Sequence, residues 1–205
     1  MIHTLSQTSL PTLVIATHNR GKSKEIRTIL RSVGWNLLSL DDFEQVGEAP
    51  ENENSFEGNA LSKAKFYAAA TGSWVLADDS GLEVDELDGA PGVHSARYAG
   101  DNATDAERRA KLLQEMISFT VVRRKARFVC VCAVVTSDLK IFAVTRGICP
   151  GTIVKEARGS SGFGYDPIFQ PEGFAETFGE LSESVKNQIS HRAKALIEMR
   201  KLLLR

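Results

Sequence analysis

The chain has 205 residues, 42% of them hydrophobic and 25% charged, which matches a folded soluble protein with a sizeable core and excludes disordered, collagen-like and coiled-coil classes. Lys and Arg number 25 against 26 Asp and Glu, a net charge of −1, so no basic excess points to nucleic acid or an anionic membrane. The halves differ, with 8 basic and 14 acidic side chains in residues 1–100 and 17 and 12 in residues 101–205. One half is suited to hold a cation and the other an anion.

Before Pro11 there is no Lys or Arg and no long apolar stretch. Residues 1–11 therefore read as a loose N-terminal extension of one domain spanning 1–205, without secretory or transit signal, and the expected location is cytoplasmic. TLVIAT (12–17) is a β-branched run. After a short polar loop, Ile26, Ile29, Leu30 and Val33 follow helical spacing up to Gly34. WNLLSL (35–40) is a second strand. An acidic loop leads to an Ala-rich helix over 56–71, ended by Gly72. SWVLA (73–77) reads as a buried strand that ends in DDSG, and LDGAPGVHSARYAG as an ordered loop.

Thr104 and Glu107 form a capping box for a helix running to Ile117. RFVCVCAVVT (127–136) and KIFAVTRGIC (140–149) lie at hairpin spacing, so the sheet contains antiparallel pairs. The run Phe128–Val135 is the longest strongly apolar one, well below the roughly 20 residues of a membrane span. A turn-rich segment then leads to a helix from His191. The three cysteines have no metal-binding spacing and suit a reducing compartment, with Cys130 and Cys132 as core thiols on one strand face. The fold class is α/β: a mixed β-sheet with flanking helices.

Four segments carry chemistry. In THNRGK (17–22) a strand gives way to a helix with Lys22 in its first turn, an arrangement whose amides and dipole attract phosphate. The bland alternative is a helix cap at Asn19 or Ser23. GKS half-matches a P-loop, but Ala16 stands where that pattern needs its first glycine. Glu51, Glu53 and Glu57, with Asp78 and Asp79, supply the hard oxygens that Mg²⁺ prefers, and one aspartate is a candidate general base; solvated glutamates are the alternative. GSSGFGYDPIF (159–169) sets Phe163 and Tyr165 on a small-residue loop suited to stacking on a base, or simply packs them in a core. KNQISHR (186–192) groups the donors Lys186, His191 and Arg192 beside Ser190, either to read a polar ligand edge or as an exposed basic helix terminus.

Taken together, THNRGK, SFEGNALSKA, VLADDSGLEVDELDGAPGVHSARYAG, GFGYDPIF and ISHRAKAL resemble, in order and spacing, the inosine/xanthosine triphosphate pyrophosphatase family from about Leu13 to Leu203. The resemblance implies two lobes around a central active-site cleft, a homodimer, and Mg²⁺-dependent hydrolysis of ITP, dITP or XTP to the monophosphate and pyrophosphate. Carried over by position, it makes Thr17, His18, Asn19, Arg20, Gly21 and Lys22 the phosphate loop, with Lys63 a further phosphate ligand. Glu51 and Asp79 become metal ligands, Asp79 also the proton acceptor, and Ser80 a substrate contact. Phe163, Gly164, Tyr165 and Asp166 become the base-binding segment, with Lys186, His191 and Arg192 closing over the purine. His18 stands where many relatives have Gly, and ENENSF replaces a more usual acidic segment. An ATPase or kinase with a P-loop-like site, and a non-catalytic nucleotide-binding module, are the other classes the residues allow. In either functional reading the partner is a small nucleotide rather than a nucleic acid or membrane.

Overall fold

The computed structural model describes residues 10–44 and 46–205, so most of the expected N-terminal extension lies outside the described residues. The elements in chain order are β1 (Thr12–Ala16), α1 (Arg20–Leu30), β2 (Asn36–Ser39), α2 (Phe56–Thr71), β3 (Trp74–Val84), α3 (Asp105–Glu115), β4 (Lys125–Val135), β5 (Ile141–Ile153), β6 (Phe169–Pro171), α4 (Glu183–Ile189) and α5 (His191–Leu203). The strands form one sheet in the order β2-β1-β3-β4-β5-β6. β1 runs parallel to β2 and β3, and the remaining pairs are antiparallel. This is the mixed sheet with flanking helices that the sequence pattern predicts.

One boundary differs in a way that matters. The strand expected to end at Ala77 continues to Val84. Its parallel neighbour stops at the pair Ala16↔Ala77, but β4 goes on pairing with it from Asp78↔Cys132 to Val84↔Ala126. Asp78 and Asp79 therefore sit inside a strand, just where β1 leaves it. Because successive strand residues point to opposite faces, the two neighbouring aspartates are sent to different sides of the sheet.

Each side has its own core. On one, α1 and α5 bury Ile26, Leu30, Leu196 and Met199 against Leu13, Leu76, Cys130 and Cys132. On the other, α2 lays Ala60, Ala64 and Ala68 against Val14, Val75, Val131 and Ala133. Cys130 and Cys132 are buried free thiols, as expected. Local signals end the helices: Asn19 caps α1, the Thr104–Glu107 box caps α3, and Gly72 ends α2 at φ 63°. α3 stops at Glu115, short of Ile117. The short helix α4, in the segment read from sequence as turns, lacks an apolar stripe: Val185 and Ile189 are its only large apolar residues.

α5 rests directly on β5 at Gly147. A Cβ there would lie 2.0 Å from the His191 carbonyl oxygen and 2.6 Å from the Ala195 amide nitrogen, both backbone atoms of α5. The absence of a side chain at 147 thus sets how close the helix bearing His191 and Arg192 comes to the sheet. Gly147→Ala is expected to destabilise the protein by about 1–3 kcal/mol, lowering the thermal midpoint by roughly 3–10 °C. Differential scanning calorimetry of the two proteins measures it, and an unchanged midpoint would show that α5 can shift without cost.

Candidate active site

A cleft of about 530 Å³ opens where β1 ends and is lined by Thr17, Lys22, Glu51, Lys63 and Asp79 together with Phe163, Tyr165, Lys186, His191 and Arg192. The carboxylates and the aromatic loop, far apart in sequence, thus share one cavity. His18, Asn19, Ser80, Gly164 and Asp166 also line it. Arg20 opens α1 as an exposed residue. Gly21 lies under the Phe163 ring, where a Cβ would come within 2.5 Å of Cδ1.

At the loop from β1 to α1, the Asn19 side chain accepts the Lys22 amide at 3.0 Å and the Asn19 carbonyl accepts the Ser23 amide at 2.9 Å. Thr17 Oγ1 accepts the Asn19 amide at 3.2 Å. Asn19 is indeed a cap, yet it leaves the Arg20 and Gly21 amides without a protein acceptor among the described residues. The helix start keeps its capacity for an anion.

On the α2 side of β3, Asn59 Nδ2 donates to Asp79 Oδ2 at 3.1 Å, and Lys63 Nζ lies 3.4 Å from Asp79 Oδ1 and 2.7 Å from Glu51 Oε1. Asn59 Oδ1 also accepts the Glu53 amide at 3.0 Å, pinning the acidic loop to α2. Glu53 contributes its backbone here, whereas Glu51 turns its carboxylate toward Asp79. The two carboxylates converge on one cation, the Lys63 ammonium. Burial raises the Asp79 pKa above the ordinary aspartate value despite Lys63 and Lys22. Glu51 is held below its ordinary value because Lys63 outweighs its burial.

Across the sheet, Asp78 behaves oppositely. Lys22 Nζ lies 3.1 Å from Asp78 Oδ2 and Arg192 Nε 3.3 Å from the same oxygen, while Arg192 Nη2 donates to Ser80 Oγ at 2.7 Å. Burial would raise the Asp78 pKa, but Lys22 and Arg192 drive it far down. Adjacent carboxylates with pKa values pushed apart are the arrangement that separates a structural anion from a proton acceptor.

Lys186 and Arg192 are not exposed ends of a basic helix. Both are buried, and Lys186 belongs to α4, with Ser190 closing that helix and capping α5. Lys186 Nζ pairs with Asp166 at 2.6 Å and Glu25 at 2.9 Å, and Arg192 Nη1 pairs with Glu25. The ammonium and guanidinium lie 4.6 and 5.7 Å from the Phe163 ring centroid. His191 stacks on Phe128 with centroids 4.6 Å apart, and its burial keeps the imidazole pKa well below 6.5, hence neutral at pH 7. Its Nδ1 has no partner among the described residues. Glu25, Asn59 and Asp78's role as an ion-pair centre are the features sequence reasoning missed. Only Glu25's position one turn beyond Lys22, beside the buried Ile26, hints at an inward carboxylate.

Burial raises the Glu25 pKa, but Arg192 and Lys186 bring it below the ordinary 4.5. A depressed carboxylate contributes stability that is present above the unfolded-state pKa and lost as pH falls through the folded one. Glu25→Gln is therefore expected to cost about 3–5 kcal/mol at pH 7, with the difference from the parent narrowing steadily as pH falls below 4.5. Urea denaturation across that range measures it. A pH-independent difference would show that Glu25 acts by its pattern of hydrogen-bond acceptors rather than by its charge.

The chain matches the Ham1 family over residues 13–202. It is 45% identical over 193 residues to a dITP/XTP pyrophosphatase of Desulforamulus reducens, covering 94% of this chain and 96% of that one. It is 46% identical over 187 residues to the protein of the same name from Mycobacterium bovis, covering 90% and 91%. A solved HAM1 protein from Coxiella burnetii superposes with a TM-score of 0.86 at 38% identity, covering 95% of this chain and 98% of that one. With this fold, these site segments and these relatives, the chain belongs to the Ham1 family.

Proposed function

We propose that the protein hydrolyses the deaminated purine nucleoside triphosphates ITP, dITP and XTP to the nucleoside monophosphate and pyrophosphate, removing them from the pool used for DNA and RNA. One observation carries the reaction: Asp79, with its raised pKa, lines the same cleft as an anion-receptive helix start and an aromatic ring flanked by buried cations. Names of relatives 45 and 46% identical support the same activity.

In this reading the loop from Thr17 to Lys22 receives the phosphates, and Phe163 to Asp166 with Lys186, His191 and Arg192 receives the base. Asp79 accepts a proton from a water as its oxygen bonds the α-phosphorus. The bridging bond from the α-phosphorus to the β-phosphate oxygen breaks, and pyrophosphate leaves with that electron pair. A raised carboxylate pKa makes Asp79 a better base than an exposed aspartate.

A divalent cation fits the residues present. Glu51 and Asp79 are hard oxygen donors that already converge on Lys63, and Mg²⁺ is usually held by one or two carboxylates together with substrate phosphates and water. Among the described residues no group of three His, Cys, Asp or Glu side chains is placed to hold a metal by itself, so the substrate would complete the set. Lys22 and Lys63 are both already paired with carboxylates, so a triphosphate brings more negative charge than the chain's own cations balance. Mg²⁺ bound by Glu51 and Asp79 would supply that positive charge. The reading further makes the protein a cytoplasmic homodimer acting on free nucleotides, folded as one domain. Among the described residues no helix is long and apolar enough to cross a membrane.

The test is to incubate the protein with dITP, XTP or ATP, with and without Mg²⁺, and identify the phosphate released. Pyrophosphate from dITP and XTP, in preference to ATP and dependent on Mg²⁺, is expected. Orthophosphate would instead mark a γ-phosphate hydrolase, and no product a binding module. Asp79→Asn should lower kcat by about 10²-fold or more while leaving the circular dichroism spectrum unchanged. Near-parent turnover in that variant would remove Asp79 from the proton-acceptor role.

A further inference from the structure

Phe163 sits on a loop whose conformation is set from outside the loop, by a helix that contributes no side chain to the chemistry proposed above. Gly164 has φ 60°, the left-handed region in which residues with a Cβ are strained. Both of its backbone groups are taken by the first turns of α3. Its N–H donates to Asp105 Oδ2 at 2.7 Å, and its carbonyl accepts from Arg109 Nη1 at 2.7 Å. The other Asp105 oxygen accepts from Arg108, which in turn donates to the Ala96 carbonyl at 2.9 Å and to the Ala103 carbonyl. α3, the 92–97 segment and the base loop are thereby joined through one carboxylate and two guanidinium groups.

The two Gly164 groups lie in the peptide units on either side of its Cα, so gripping both fixes both dihedrals of that residue. Its neighbours are then directed in opposite senses. Tyr165 goes inward, its hydroxyl donating to the Ser95 carbonyl at 2.9 Å. Phe163 goes toward Gly21 and Lys186, its own amide held by Asp166 Oδ2 at 2.8 Å. A glycine-rich loop without such a grip would have to be ordered by the nucleotide itself, which subtracts from binding.

We propose that Asp105 and Arg109 are positioning residues for base binding: by holding Gly164 from both sides they preset the Phe163 ring at the base end of the cleft. The proposal rests on the pyrophosphatase reading for its substrate and on the two backbone hydrogen bonds for its mechanism, and the experiment separates them. Parent protein is first assayed for pyrophosphate release from dITP; failure there defeats the functional reading, and the grip itself is then judged by amide exchange alone. Hydrogen exchange of residues 162–166 is compared, without nucleotide, between the parent, Asp105→Ala and Arg109→Ala.

Loss of the charge-assisted bond should speed exchange of the Gly164 amide at least about tenfold in Asp105→Ala. KM for dITP and XTP should rise about tenfold in both variants, with kcat within about twofold and the thermal midpoint within about 3 °C. Arg109→Lys, which keeps one donor for the carbonyl, should recover most of the KM. Unchanged exchange, or faster exchange with unchanged KM, overturns the proposal, as does a fall in kcat at constant KM. If Asp105→Ala does not fold, Asp105→Asn, which keeps an acceptor for the amide but not its charge, replaces it. An intermediate KM in that variant supports the proposal and a parent KM overturns it.

Discussion

The Asp78 carboxylate is the interaction on which the rest of the site depends. It joins β3 to α1 through Lys22 and to α5 through Arg192, and from Arg192 the chain of alternating charges continues through Glu25 and Lys186 to Asp166. Three cations and three anions thus lie in one line through the protein interior. Removing a charge from water costs several kcal/mol, and the cost is offset only when partners of opposite sign and further hydrogen bonds are in place. Each member of the line is therefore conditional on the next. Lys22, Lys186 and Arg192 cannot be assessed as separate substrate contacts, because their positions follow from Asp78, Glu25 and Asp166, the carboxylates they share.

One peptide unit further on, the chemistry is different. Asp79 meets Asn59 and Lys63 instead of Lys22 and Arg192, since strand alternation turns it to the α2 face. The different partners of the two aspartates are a consequence of sheet geometry: β1 ends at Ala16 and opens a gap, while β4 keeps β3 extended through it. A loop carrying the same two residues would not hold them apart in this way. The proposed catalytic role of Asp79 rather than Asp78 is thus supported by which face each occupies and by the opposite directions of their pKa shifts.

Much of this was legible locally. The β1–loop–α1 unit, the Ala-rich helix, the capping box at Thr104 and the hairpin of β4 and β5 all follow from periodicity and caps, because the forces that set them act within a few residues. The extension of β3 past Ala77 was not, since it depends on pairing with residues 126–132 and polar side chains in DDSG resemble a strand end. Glu25 was equally hidden: its partners Lys186 and Arg192 come together with it only after α1, α4 and α5 pack. α4 was missed because a helix that buries a lysine, Lys186, among its few inward residues carries no apolar stripe. The motif segments converge on one cleft, and they include Asp78 and Asp166, but they gave no sign of Glu25 behind its cations or of the α3 side chains that hold its aromatic loop.

The same dependence bears on how a purine would be read. A guanidinium carries five N–H donors. In Arg192, Nε and Nη2 are turned to Asp78 and Ser80 and Nη1 to Glu25, while two of the three Lys186 hydrogens are turned to Asp166 and Glu25. What remains for a ligand is few donors, held in fixed directions beside Phe163, with no means of rotating an acceptor into their place. Under the proposed function, a 6-keto purine accepts from such donors, whereas a 6-amino purine leaves them facing a second donor. An unsatisfied buried donor costs about 1–3 kcal/mol, or roughly 10- to 100-fold per group. Flexible lysine and arginine side chains in water would move away and lose that discrimination. Under the proposed function, the carboxylates behind them would act in specificity by denying the cations any other orientation.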